Sequence, residues 1–182
     1  SAVCMNLDSW AMQPETFDGL VRERECAGNI VIAEGVMGLF DGATLERGTT
    51  AEVAQRTGWP VVFVVDVSGM AGSVAPLVKG FAQFRAGVRI CGVIANRTGS
   101  ERHAALIADA LGTIGIPLLG HLPRDQALSL PSRHLGLVMA GEQQALETFL
   151  DRAAAQIAAH VDLEALCALA RPASVSGVGG DC

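Results

Sequence analysis

The chain has 182 residues, enough for one domain with a full hydrophobic core, and with 50% apolar and 18% charged residues it is not a disordered segment. Its formal charge of −6 excludes a basic nucleic-acid footprint, and no apolar run approaches the roughly 18 residues that cross a bilayer, so neither nucleic acid nor membrane is an expected partner. Glycine is abundant at 21 and aromatics are scarce at 4%, which suits an α/β core of Ala, Val, Leu and Ile with tight strand-to-helix turns.

Pro14 can open the first helix, with Phe17, Leu20 and Val21 on one face. Ile30–Ala33 reads as a buried strand. Thr49 and Glu52 form a capping box ahead of a helix over Glu52–Thr57, and Val61–Val65 is the next strand. Ser73 can cap a helix that tolerates Pro76 in its first turn, with Leu77, Val78, Phe81 and Phe84 as its apolar stripe. A strand over Val88–Ala95 follows. Ser100 then caps a helix with Leu106, Ile107, Ala110, Leu111 and Ile114 inward, which Gly115 and Pro117 stop. Pro117–Leu122 reads as the last strand. An amphipathic helix spans Glu142–Ala159 with Leu146, Phe149, Leu150, Ala153 and Ile157 on one side, and a short helix covers Leu163–Ala170. Residues 1–171 are thus expected to form one α/β domain with a mostly parallel sheet flanked by helices, and 172–182 a linker or tail.

Chemistry concentrates where strands end. Glu34 follows Ile30–Ala33 and enters the glycine-rich run Glu34-Gly35-Val36-Met37-Gly38-Leu39-Phe40-Asp41-Gly42. In open parallel sheets, ligands sit beyond the carboxyl ends of the strands, and a carboxylate there can hold Mg²⁺ that bridges nucleotide phosphates. A turn with Glu34 facing solvent is the competing reading. Asp8 and Asp41 are further candidate carboxylates, although by themselves an N-cap or Asx-turn role is the favoured reading of each. Asp66 ends a strand too, and rivals Glu34 as metal ligand. Asn96 offers the donor and acceptor that match the edge of adenine, and Arg97, Arg124, Arg133 and His134 can meet phosphate, ribose or carboxylates. His103 and His121 read as surface or structural residues, and His160 as a charge favoured at a helix C-terminus. The five cysteines show no zinc spacing and fit a reducing cytosol better than a disulfide framework. No Gly-x-x-x-x-Gly-Lys-[Ser/Thr] phosphate loop occurs in the chain.

Taken in order, several segments resemble the cobyrinic/hydrogenobyrinic acid a,c-diamide synthase family. They are Asn6-Leu7-Asp8-Ser9-Trp10, the Glu34–Gly42 run, Thr50-Ala51-Glu52-Val53-Ala54, Asp66-Val67-Ser68-Gly69-Met70-Ala71-Gly72-Ser73, Gly92-Val93-Ile94-Ala95-Asn96-Arg97, Leu122-Pro123-Arg124 and Leu130-Pro131-Ser132-Arg133-His134. The resemblance covers Asn6 to about Ala170. It implies a P-loop NTPase-like amidoligase domain similar to dethiobiotin synthetase, with ATP and Mg²⁺ as cofactors and a corrin as substrate. A class I glutaminase domain would supply ammonia, the enzyme would be cytoplasmic, and a homodimer is compatible with it. By position, Glu34 resembles the magnesium-binding glutamate, Asp41 the acidic residue of the same loop near the reacting groups, and Asp8 a carboxylate at the mouth of that site, both counted as catalytic. Asn96 resembles the adenine-reading asparagine, with Arg97 beside it as a cofactor-binding residue, and Arg124 a residue near the nucleotide. The family's P-loop strand would precede Ser1 and its glutaminase domain would follow Cys182, so this chain is expected to be inactive alone. A Ni-sirohydrochlorin a,c-diamide synthase and a partner-binding ATPase of the MinD/ParA type remain as alternatives.

Overall fold

The computed structural model describes residues 4–27, 30–128 and 143–175, and they group into two compact units. The first collects residues from 4–61, 82–89 and 167–175. In it α1 (Pro14–Ala27) buries Phe17, Asp18 and Val21, so an aspartate takes a place that apolar periodicity alone does not assign to it. Burial of that carboxylate is offset by Arg56, whose guanidinium lies 2.8 Å from Asp18, donates to the Pro14 carbonyl at 2.7 Å and covers the Phe17 ring at 4.4 Å. Arg56 belongs to α2 (Thr50–Thr57), which begins as its capping box predicts. Thr49 Oγ1 accepts from the Glu52 N–H at 3.0 Å, while the Glu52 carboxylate reaches back to the Gly48 N–H at 2.7 Å. Gly58 ends α2 in the left-handed region, where a Cβ would be strained. Backbone N–H groups of Ala173 and Ser174, at the start of the expected tail, bond Glu25 and the Thr57 carbonyl at 2.7 Å each.

One expected strand is absent. Residues 30–33 are irregular, with Ile30 44% and Ile32 79% exposed, and among the described residues no backbone hydrogen bond holds them. A strand is stable only as part of a ladder, and the three-stranded sheet β1-β2-β3 does not include this segment. Cys26 is disulfide-bonded, against the reading of the cysteines as reduced thiols, whereas Cys4, Cys91 and Cys167 are in no disulfide.

The second unit, from residues 62–81 and 90–166, holds the sheet. Its strands β1 (Val61–Asp66), β2 (Ile90–Thr98) and β3 (Leu118–Pro123) lie in that order, and β2 and β3 run parallel. Helices α3 (Val74–Phe84) and α4 (Glu101–Gly112) form the crossovers, as a parallel sheet requires. Of the predicted stripe on α3, Val78 is buried beside Val74 and Ala75, whereas Leu77 and Phe84 are exposed. Helix α4 buries Ala104, Ile107 and Leu111, and Ser100 caps it by accepting from the His103 N–H at 3.2 Å. Strand β2 runs beyond Ala95 to Thr98, with register shifts that leave Arg97 as a bulge residue at φ 64°. Helix α5 (Gln143–His160) packs on β3, and α6 (Leu163–Ala168) follows. No helix among the described residues is long and apolar enough to cross a membrane.

Candidate functional site

The carboxyl ends of β1, β2 and β3 carry Asp66, Asn96 with Arg97, and Arg124. Asp66 is fastened at both oxygens. Its Oδ1 accepts from the Ser68 hydroxyl at 2.6 Å and the Ser68 N–H at 2.9 Å, and its Oδ2 pairs with the Arg97 guanidinium at 3.0 Å. Those Ser68 bonds, and then Arg97, hold the carboxyl down to about 2. A carboxyl depressed on folding adds stability that is complete above the ordinary value near 4 and is lost as pH falls through about 2. Both side chains are about half exposed, so solvent screening keeps the effect well under about 1 kcal/mol. Acid titration of Asp66→Asn by circular dichroism is therefore expected to show a slightly shallower loss of stability between pH 4 and pH 2 than the parent chain shows.

Asn96, Arg97 and Arg124 are brought together: all three line one cavity of about 270 Å³. The bulge sets this up, because the extra residue turns the strand end where Arg97 must leave the ladder. The Arg124 N–H donates to the Thr98 carbonyl at 3.1 Å, which continues the β2–β3 edge into the cavity wall. From α5, Gln156 lines the same cavity, and its Oε1 is a buried acceptor without a hydrogen-bond partner among the described residues. An orphaned acceptor costs about 1–3 kcal/mol unless a ligand or water satisfies it, so Gln156 belongs with the site although motif reading passed it over. In the sequence only its spacing, three residues after Ala153 of the predicted apolar side of that helix, hints at it. Asp125, also in the wall, is lowered by Arg152, which grips it at 2.6 Å, and by the Ala127 N–H.

The other predicted carboxylates lie in the first unit. Asp8 is an Asx-turn residue whose Oδ1 accepts from the N–H groups of Trp10 at 2.8 Å and Ala11 at 3.1 Å. Glu34 is exposed and makes no hydrogen bond among the described residues. Asp41 closes a turn through its N–H to the Gly38 carbonyl at 2.9 Å, and a Cβ on Gly38 would come within 2.4 Å of its carboxylate. The loop from Glu34 to Gly48 is seated on the start of α2. Ala51 donates to the Leu39 carbonyl at 2.9 Å, and a Cβ on Gly42 would meet the Arg47 carbonyl at 2.8 Å. Arg85 ties the loop down by donating to Thr49 Oγ1 at 3.3 Å and to the Leu45 carbonyl, with its guanidinium over the Phe40 ring at 5.4 Å. Ser9 reaches the same cap through the Glu52 carboxylate at 2.7 Å, so the Asp8 segment and the acidic loop share one anchor. Arg133 and His134 lie outside the described residues.

Comparison with known proteins adds to this geometry. Residues 5–138 match a family model described as the CobQ/CobB/MinD/ParA nucleotide binding domain. The chain is 52% identical over 164 residues, 90% of its length, to a hydrogenobyrinate a,c-diamide synthase of Brucella ovis. It is 46% identical over 177 residues, 97% of its length, to one of Rhizobium meliloti, and 44% identical over 178 residues, 96% of its length, to one of Mesorhizobium japonicum. It spans 38%, 41% and 40% of these relatives respectively, about two-fifths of each. No solved structure matches it significantly.

Proposed function

The chain belongs to the CobQ/CobB/MinD/ParA nucleotide binding domain family, and from that premise we propose that it is the nucleotide-handling part of a hydrogenobyrinate or cobyrinate a,c-diamide synthase. The observation that carries this reading is the cavity where Asn96, Arg97, Arg124 and the unpartnered Gln156 acceptor converge at the carboxyl ends of parallel strands. Agreement with relatives of that name along most of the chain supports the choice of reaction.

In this reading Asn96 and Gln156 meet the edge of the ATP base, and Arg97 and Arg124 face its phosphates. The fit is chemical: one wall offers amides with an unused acceptor, and the Arg124 guanidinium stands exposed beside them. Glu34, an exposed carboxylate with no competing bond, suits Mg²⁺, a hard cation that binds one or two carboxylates and completes its shell with phosphate and water. Bound magnesium neutralises charge on the phosphates. A corrin acetate oxygen attacks the terminal phosphorus and ADP leaves. Ammonia released from glutamine in a glutaminase domain then attacks the acyl carbon, and phosphate departs as the amide forms. A carboxylate is a poor acyl donor until one oxygen becomes such a leaving group, so the residues act mainly by positioning and by balancing charge. Asp41 and Asp8 are assigned to the corrin carboxylate by the family resemblance, and a cytoplasmic setting supplies ATP and glutamine.

The test uses the full-length parent with ATP, Mg²⁺ and glutamine. Cobyrinic acid, hydrogenobyrinic acid and Ni-sirohydrochlorin are offered separately, and the amides are counted by mass spectrometry. Two amides on cobyrinic or hydrogenobyrinic acid are expected. Two on Ni-sirohydrochlorin alone would move the substrate to that ring. ATP hydrolysis with no amide on any ring would favour a MinD/ParA-like ATPase, the other branch that the family description covers.

A further inference from the structure

The second unit holds a group of side chains that the nucleotide reading does not use. Glu101, His121 and His160 each turn one ligand atom toward the others, and these atoms lie within 4.8 Å of one another. They come from three elements: the first residue of α4, the middle of β3 and the last residue of α5. All three stand in the lining of an open cavity of about 570 Å³, which contains none of the nucleotide-cavity residues. Among the described residues no other group of three such side chains converges in this way.

We propose that Glu101, His121 and His160 form a binding site for a divalent transition ion of the zinc or cobalt type, which clips the ends of α4 and α5 to β3. Two imidazoles and a carboxylate are the donors that such ions prefer, and three protein ligands leave a position for water. With ligand bonds of about 2.0–2.1 Å, neighbouring donors of a tetrahedral ion sit about 3.3 Å apart. His121 Nε2 and the nearer Glu101 oxygen are already 3.3 Å apart. The His160 ring meets His121 edge-on with centroids 5.3 Å apart, so a modest ring rotation closes the third side. Glu101 is 83% exposed and free to follow.

Two features behind the ligands go beyond what a simple His–Glu pair needs. His121 Nδ1 faces the hydroxyl of Thr98 at 3.4 Å, and Thr98 is buried. With its proton on Nδ1 the ring keeps the Nε2 lone pair for an ion, the arrangement that outer hydrogen bonds impose on metal-binding histidines. Gly120 then lets the end of α5 approach β3. A Cβ there would meet the His160 carbonyl at 2.5 Å and Val161 Cα at 2.7 Å, and the Gly120–Val161 bridge fixes that approach. A simple ion pair also has no need of a second imidazole.

The experiment titrates the 182-residue chain with Co²⁺, read by its visible d–d absorption, and with Zn²⁺, read by competition. Expected are one ion per chain, no thiolate charge-transfer band, and a melting temperature raised by about 5–10 °C at a hundredfold excess of free ion over Kd. His121→Ala and His160→Ala should each weaken binding more than about tenfold, and Thr98→Val about tenfold. His103→Ala should leave it unchanged, because that ring is engaged with the Gly99 N–H and the Met70 carbonyl. Glu101→Ala alters only an exposed side chain, so its expected loss of affinity decides the matter if a histidine variant fails to fold. Absence of stoichiometric binding, a thiolate band, or affinity unchanged in Glu101→Ala and the folded histidine variants would overturn the assignment.

Discussion

Glu34→Gln in the full-length parent is expected to lower the rate of amide formation by about 10²–10³-fold while leaving the fold intact, the scale seen when one charge-stabilising group is removed from an active site. The substitution keeps the size of the side chain and removes only its charge. Glu34 is exposed and makes no hydrogen bond among the described residues, so no packed partner is disturbed. Surface changes of that kind usually stay within about 0.5 kcal/mol of stability. Activity and stability should therefore separate, and mass-spectrometric counting of amides beside a thermal melt reads both. A rate within about twofold of the parent would reduce Glu34 to a loop residue, for 10²–10³-fold corresponds to about 2.7–4 kcal/mol that no bystander supplies.

Phe17→Ala is expected to destabilise the chain by about 3–5 kcal/mol, the usual cost of emptying an aromatic core site. Total stabilities run only to roughly 5–15 kcal/mol, so this is a large fraction. Phe17 is fully buried on α1, and its ring carries the Arg56 guanidinium at 4.4 Å. Its loss would leave a cavity beneath the Arg56–Asp18 pair, whose desolvated carboxylate is 2.8 Å from the guanidinium. Water entering there would weaken this ion pair, which joins α1 to α2. Urea unfolding followed by circular dichroism should show the midpoint falling with little change in slope. A loss under about 1 kcal/mol would mean that α1 contributes little to the first unit.

Local chemistry made much of the fold legible. The Thr49–Glu52 capping box, the Ser100 cap, the β-branched runs of β1 and β2 and the short apolar run of β3 act over a few residues, so their spacing alone locates them. The same holds for Asn96 and Arg97 near the end of β2 and Arg124 just after β3, which lie at the carboxyl edge once the sheet is parallel. Ile30–Ala33 failed for the opposite reason. Its composition suits a strand, but pairing is a property of a partner, and in this sheet it has none.

What the tertiary structure decided involves residues that meet only after folding. Asp18 is buried because Arg56, on another helix, neutralises it. Gln156 enters the cavity lined by Asn96, Arg97 and Arg124 because α5 lies along β3, and hydrophobic periodicity assigns no role to a glutamine. His121 and His160, read singly as a structural residue and a helix-end charge, become neighbours of Glu101 only where Gly120 allows backbone to touch backbone. Sequence by itself determined the three strands of the sheet, the caps and the family, since each rests on short-range patterns. Convergence of side chains from distant elements is set by packing, and only the folded chain brings those atoms within bonding range.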